Sequence, residues 1–323
     1  MLIANPLHKD KRLISTATST NWLTDNQILE LIEKNVKFVD ETEYQKFDNK
    51  EALNFNNYDY NLQEKLYDSP SGKESSYWLL REIQNIVKSV NKNVKVEVIP
   101  FNHTGWDQIS IIVRLSPTSA PHFNGIVIIG SHQDSINGWD PMNGRAPGAD
   151  DDGSGTAAAF EALRLIVLSE YVPKRTLEFH FYSAEEGGLL GSQAIALNYK
   201  QRNIHVLGVL QTDLAGYVKP NTTSVIGIET NYNFVDFKLT KLLTFIVDKY
   251  CSSPRVDTSC GYGCSDHLSW KKLGYPTAYF FEGNFGDQTP YMHSEKDSLD
   301  RINFAHLTEF VKAIFGWCLE LTS

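Results

Sequence analysis

Apolar and polar positions along this chain alternate between two periods. From Glu74 onward, Tyr77, Trp78, Leu80, Ile83, Ile86, Val87 and Val90 recur at helical spacing. The run Val94-Lys-Val-Glu-Val-Ile then alternates as a half-buried strand does. Residues 109–115 read as a second strand and 125–131 as a third. That third run, GIVIIGS, is continuously apolar, as a strand buried on both faces should be. A loop dense in Gly, Pro, Asn and Asp follows. Residues 154–171 then read as a helix, with Ala157 to Ala159 as good helix formers. Further strands are expected at 176–182, 206–211, 225–228 and 277–281, and helices at 188–199, 234–250 and 304–321. Strands alternating with helices predict an α/β sandwich with a largely parallel central sheet. No repeat or linker divides it.

The N-terminal stretch differs. It is polar and rich in Asn, Asp, Lys and Tyr, with one short helix expected near Asp25 to Lys34, where Asp25 can act as N-cap. The expected organisation is a surface-packing arm over residues 1–73, with a regulatory pro-segment as the sharper reading, and a single domain over 74–323. At 323 residues the chain can bury a large core without staples. With 41% hydrophobic and 21% charged residues, neither disorder nor coiled coil suits the whole. A net charge of −9 repels a phosphate backbone, so no nucleic-acid partner is expected. No apolar run approaches the roughly 20 residues that span a bilayer, so no membrane partner is expected either. The first residues, MLIANPLHKDKRL, do not read as a signal peptide as they stand, so the expectation is either an intracellular protein or one whose signal has been removed. Four cysteines, Cys251, Cys260, Cys264 and Cys318, do not make a disulfide-dense scaffold.

Chemistry changes the picture at the strand ends. Ligands of open α/β sheets sit beyond the carboxyl ends of the strands. There the sequence places His132-Gln-Asp134, Asp150-Asp151-Asp152, Glu185-Glu186, Asp213, and His293 with Asp297 nearby. Singly, each has an ordinary explanation. A His after a strand is commonly a hydrogen-bonded surface residue, and acids before a helix are usually caps favoured by the helix dipole. Together, converging carboxylates need a compensating cation. A mix of His with Asp and Glu suits zinc with an open hydrolytic position. More than four candidate ligands suggests two metals bridged by one carboxylate.

The segments SHQDS, APGADDDGSGTAA, YSAEEGGLLGSQ, LQTDLAGY, DTSCGYGCSDHLSW, GYPTAYFFE and PYMHSEKDS, in that order, resemble those of the secreted bacterial leucyl aminopeptidases, which are two-zinc exopeptidases. The resemblance runs from about Glu74 to the C-terminus. It implies the zinc-exopeptidase fold, a mixed eight-stranded sheet flanked by helices on both faces. It implies two Zn²⁺ per chain held by His132, Asp151, Glu186, Asp213 and His293, with Asp151 as the bridge. It implies Glu185 as general base and acid, and Tyr262 as oxyanion donor. Asp134 would accept the free ring N–H of His132. Leu214, Ile228, Tyr279, Phe281, Phe285, Gln288 and Met292 would line the side-chain pocket, and Cys260 and Cys264 would form a small disulfide loop. The expected substrates are peptides with a free, large hydrophobic N-terminal residue such as Leu. A Lys/Arg preference, suggested by Gln288 and by the acids Glu229 and Asp287, and a non-peptidase binuclear-zinc amide hydrolase are the alternatives. The protein is expected to be a secreted monomer with its signal removed.

Overall fold

The computed structural model describes residues 66–119 and 123–323. The expected helix near Asp25 and most of the arm lie outside them. Helix α1 spans Pro70–Ile86. It starts before the apolar periodicity does, because Ser69 Oγ accepts the Gly72 N–H and Pro70 stands at the first position, where its missing N–H costs nothing. Strands β1 (Val94–Phe101), β2 (Ser110–Pro117) and β3 (Ile126–His132) follow, then α2 (Gly153–Leu168), β4 (Thr176–Tyr182) and α3 (Leu190–Gln201). The remainder is β5 (Val206–Thr212), β6 (Ile226–Glu229), α4 (Phe237–Tyr250), β7 (Arg255–Thr258), α5 (His267–Lys272), β8 (Thr277–Phe281) and α6 (Phe304–Thr322). Within the described residues, β7 and α5 are additions to the expected elements. Both are short, and neither carries a clear period.

One eight-stranded sheet results, in the order β1-β2-β4-β3-β5-β8-β6-β7. Its centre, β4-β3-β5-β8, is parallel. At one side β1 and β2 run antiparallel to each other, and β2 antiparallel to β4. At the other, β6 is antiparallel to β8 and parallel to β7. The architecture is therefore the mixed, mostly parallel α/β sandwich.

Alternation along each central strand feeds two cores. Val127, Ile129, Leu177, Phe179 and Leu210 enter the larger one, beneath α1, α2, α4 and α6. Ile128, Tyr182 and Val209 enter the smaller one with Ile195, Tyr199 and Trp270 of α3 and α5. The smaller core holds a buried polar chain. Glu178 accepts from Arg114 at 2.5 Å and from Tyr199 at 2.7 Å, and His180 Nε2 lies 2.9 Å from it. Trp270 donates to Tyr182 Oη at 2.9 Å. His180 is thus occupied structurally. Burying both faces of the central strands leaves their carboxyl ends as the place where polar side chains can converge.

Candidate metal centre

His132 ends β3, Glu185 and Glu186 follow β4, Asp213 follows β5, and Asp151 precedes α2. His293 arrives on the loop between β8 and α6. The backbone is forced at three of these points. Ala184, Leu214 and His293 have φ of 58°, 61° and 56°, a left-handed region that non-glycine residues adopt at a cost.

Two three-residue groups form, His132/Asp151/Asp213 and Asp151/Glu186/His293, each with its ligand atoms within 4.8 Å of one another. Asp151 belongs to both, and its two oxygens part between them. Oδ1 lies 3.3 Å from His132 Nε2, and Oδ2 lies 3.0 Å from His293 Nε2. Asp213 Oδ1 is 3.5 Å from His132 Nε2, and Glu186 Oε2 is 3.1 Å from His293 Nε2. The five expected ligands are therefore brought together. The residues fit a metal pair on their own terms, because His132 Nε2 and Glu186 Oε1 are buried without a hydrogen-bond partner among the described residues.

Electrostatics point the same way. Burial would lower the His132 pKa, but Asp213 and Glu185 override it and hold the imidazolium well above the ordinary range. Hydrogen bonds to Asp151 and Glu186 push His293 up to about 11. Burial, then the neighbouring Asp151, pushes Glu186 up to about 8. Burial raises Glu185 well above its ordinary value, with Asp266 and Glu186 adding to the shift. Protons crowd into a site with surplus negative charge, which is where a cation would act.

A set of carboxylates holds these loops through their backbones. Asp134 accepts the N–H groups of Glu185 at 3.0 Å and Glu186 at 3.1 Å. Its carboxylate is 3.6 Å from His132 Nδ1, which meets the Asp134 carbonyl oxygen instead, at 3.1 Å. The expected ring partner is thus mainly the backbone of that residue. Asp297 accepts the N–H groups of Asp150 at 2.9 Å and Asp151 at 3.0 Å. Asp152 caps α2 through Gly155 and also accepts from His132 N and Leu214 N. Glu282 takes Tyr217 N and Thr289 N, both at 2.7 Å. Sequence reasoning gave Asp297 and Glu282 no role, although both stand within motif segments.

Cys260 and Cys264 are joined in a disulfide. The loop they close presents Tyr262, 59% exposed, edge-on to Phe285. Burial, then Glu185 and Asp213, raises the Tyr262 pKa. Buried Glu229 fixes this loop by accepting Cys260 N at 2.8 Å and Asn231 N at 2.7 Å. Of the expected pocket residues, Tyr279 and Phe281 pack together beside the disulfide. Ile228 lies in the larger core, Leu214 is buried after Asp213, and Phe285 is exposed. Gln288 and Met292 are partly buried, with Gln288 Oε1 accepting from Gly286 N. Cys251 and Cys318 are free thiols.

The signature of peptidase family M28 matches residues 110–317. A probable aminopeptidase of Saccharomyces cerevisiae is 43% identical over 263 residues, covering 80% of this chain and 69% of its own length. Leucine aminopeptidase 1 of Chaetomium globosum is 41% identical over 268 residues, 80% of this chain and 64% of its own. The chain thus spans about two thirds of the length of these curated relatives, which are fungal rather than bacterial. Among solved structures, the Legionella pneumophila LapA aminopeptidase superposes with a TM-score of 0.73 at 25% identity, over 98% of this chain and 73% of that one.

Proposed function

The chain belongs to peptidase family M28 and is a metallo-aminopeptidase, and on that premise we propose that it removes single residues from free peptide N-termini with two zinc ions. The observation that carries this reading is Asp151, whose two oxygens face two separate His-carboxylate groups. His132 and Asp213 would hold one ion, His293 and Glu186 the other, with Asp151 between them. When bound, the metals polarise the scissile carbonyl and lower the pKa of water towards about 7. Glu185 takes the proton of the attacking water and returns it to the amine as the C–N bond breaks. The Tyr262 hydroxyl donates to the developing oxyanion. The Asp134 and Asp297 bonds to backbone N–H groups hold the acids in place for this.

A large hydrophobic N-terminal residue is the preferred substrate side chain. Tyr279 and Phe281, buried beside the disulfide, give this side of the centre an apolar backing, and the two acids that could favour Lys or Arg are engaged elsewhere. Asp287 pairs with Lys219 at 2.5 Å, and Glu229 holds two backbone N–H groups. The disulfide suits an exported protein, and the remaining feature proposed is a monomeric enzyme. Leucine release from Leu-amide should vanish on chelation and return with zinc, and acetylated peptides should resist. Cleavage of a blocked peptide, or turnover indifferent to chelator, counts against it.

A further inference from the structure

Trp139 is 93% exposed and Met142 69% exposed, three residues apart on the loop between β3 and α2. An apolar surface of this kind on a rigid segment is more informative than one exposed side chain. The segment is built, not slack. Asn137 Oδ1 accepts the N–H groups of Trp139 and Asp140 at 3.0 and 3.1 Å, while its Nδ2 donates to the Arg145 carbonyl at 2.9 Å. Gly144 N closes on the Asp140 carbonyl at 2.8 Å. A Cβ on Gly144 would stand 2.6 Å from the Asn137 side chain, so the turn has no room to spare.

This loop is fastened to the metal centre. Gly138 N donates to the His293 carbonyl at 2.9 Å, and Arg145 reaches the Glu295 carbonyl at 3.4 Å. A Cβ on Gly138 would lie 3.4 Å from His293 Cβ. The centre is exposed at His293. The His293 side chain is 44% exposed, whereas that of His132 is 1% exposed. A peptide bound at the centre can run out on this exposed side, past His293 and over the loop fastened to it.

We propose that Trp139 and Met142 form a landing for the peptide chain downstream of the scissile bond, favouring aromatic or large apolar residues there. The inference rests on the aminopeptidase reading. A stiff indole offers large contact area with little rotamer freedom to lose, which suits a varied partner.

The test compares Leu-amide, which has nothing downstream, with Leu-Phe-Phe and Leu-Gly-Gly, using wild type, Trp139→Ala and the Trp139→Ala/Met142→Ala pair. Expected is about a fivefold fall in kcat/KM on Leu-Phe-Phe, carried by KM, a smaller fall on Leu-Gly-Gly and none on Leu-amide. An equal fall on all three substrates, or none on any, overturns the landing while leaving the aminopeptidase intact. Wild-type protein that releases leucine from none of them defeats the underlying reading as well. Sedimentation of the same variants covers the other occupant. A dimer lost on Trp139→Ala with peptide kinetics unchanged assigns the patch to self-association and overturns the proposal.

Discussion

Glu185 and Glu186 are neighbours with one chemistry and two proposed jobs. Both backbone N–H groups are held by Asp134, so the turn fixes where each carboxylate goes. Glu186 reaches His293, while Glu185 lies among His132, Asp266 and Asp213. Glu186→Ala should weaken metal binding, because it removes a ligand. Glu185→Ala should keep both metals and lose about 10²–10⁴-fold in kcat, the usual worth of acid–base assistance. Metal content and kcat of the two variants check this, and zinc loss in Glu185→Ala would reverse the assignment. At this scale the sequence was informative about the ligands and about Asp134, and silent about the other acids that hold their backbones. Acids and histidines at strand ends announce themselves by type and place. A carboxylate that accepts two backbone N–H groups, such as Asp297 or Glu282, looks in sequence like any acid in a loop.

Elements with a strong period were legible, and those without were not. The two strands Thr176–Tyr182 and Thr277–Phe281 have the expected bounds, since every residue in them but Thr176 is buried. β7, reading Arg-Val-Asp-Thr, is a partly exposed edge strand whose pairing with β6 is what makes it a strand. The acids Glu185-Glu186 cap no helix. α3 begins at Leu190, after a left-handed Leu189 without a side-chain cap, so the ordinary capping explanation fails there and holds for Asp152. The disulfide loop is the element with the sharpest consequence. It closes so few residues that its chain-entropy contribution is about 2 kcal/mol, while it carries Tyr262. Cys260→Ser/Cys264→Ser should therefore lower kcat at least tenfold with only a modest fall in Tm. Kinetics and thermal melts of one preparation decide it, and a large Tm loss with kcat unchanged would make the bridge a stabiliser instead.

For the whole molecule, the parallel centre of the sheet was legible from alternating strands and helices. The flanking antiparallel strands were not, because strand order is set by which faces pack rather than by any local run. Charge acts at this scale too. Burial pushes Asp266 and Asp297 up to about 7, and Glu186 up to about 8. A raised carboxyl pKa contributes stability that is full below the unfolded value and is lost as pH rises through the folded one. His103, His267 and His306, pushed down by burial, contribute stability lost as pH falls below about 6.5. Above about pH 6.5 the contributions of these three histidines are complete while those of the carboxyls are still being lost, so the Tm of metal-free protein should fall between about pH 6.5 and 8. Zinc should flatten that fall by compensating the charge, and a chelated protein whose Tm is level across the window would contradict this. The grip of Asp134 and Asp297 on loop backbone has its own signature in solvent exchange. Loop amides ordinarily trade hydrogen for deuterium quickly, because they open without unfolding anything else. The amides of Asp150, Asp151, Glu185 and Glu186 are bound by buried acids and cannot be released without opening the packed centre. Their exchange in the metal-free protein should be as slow as that of the sheet, with the ion's socket standing ready before the ion arrives.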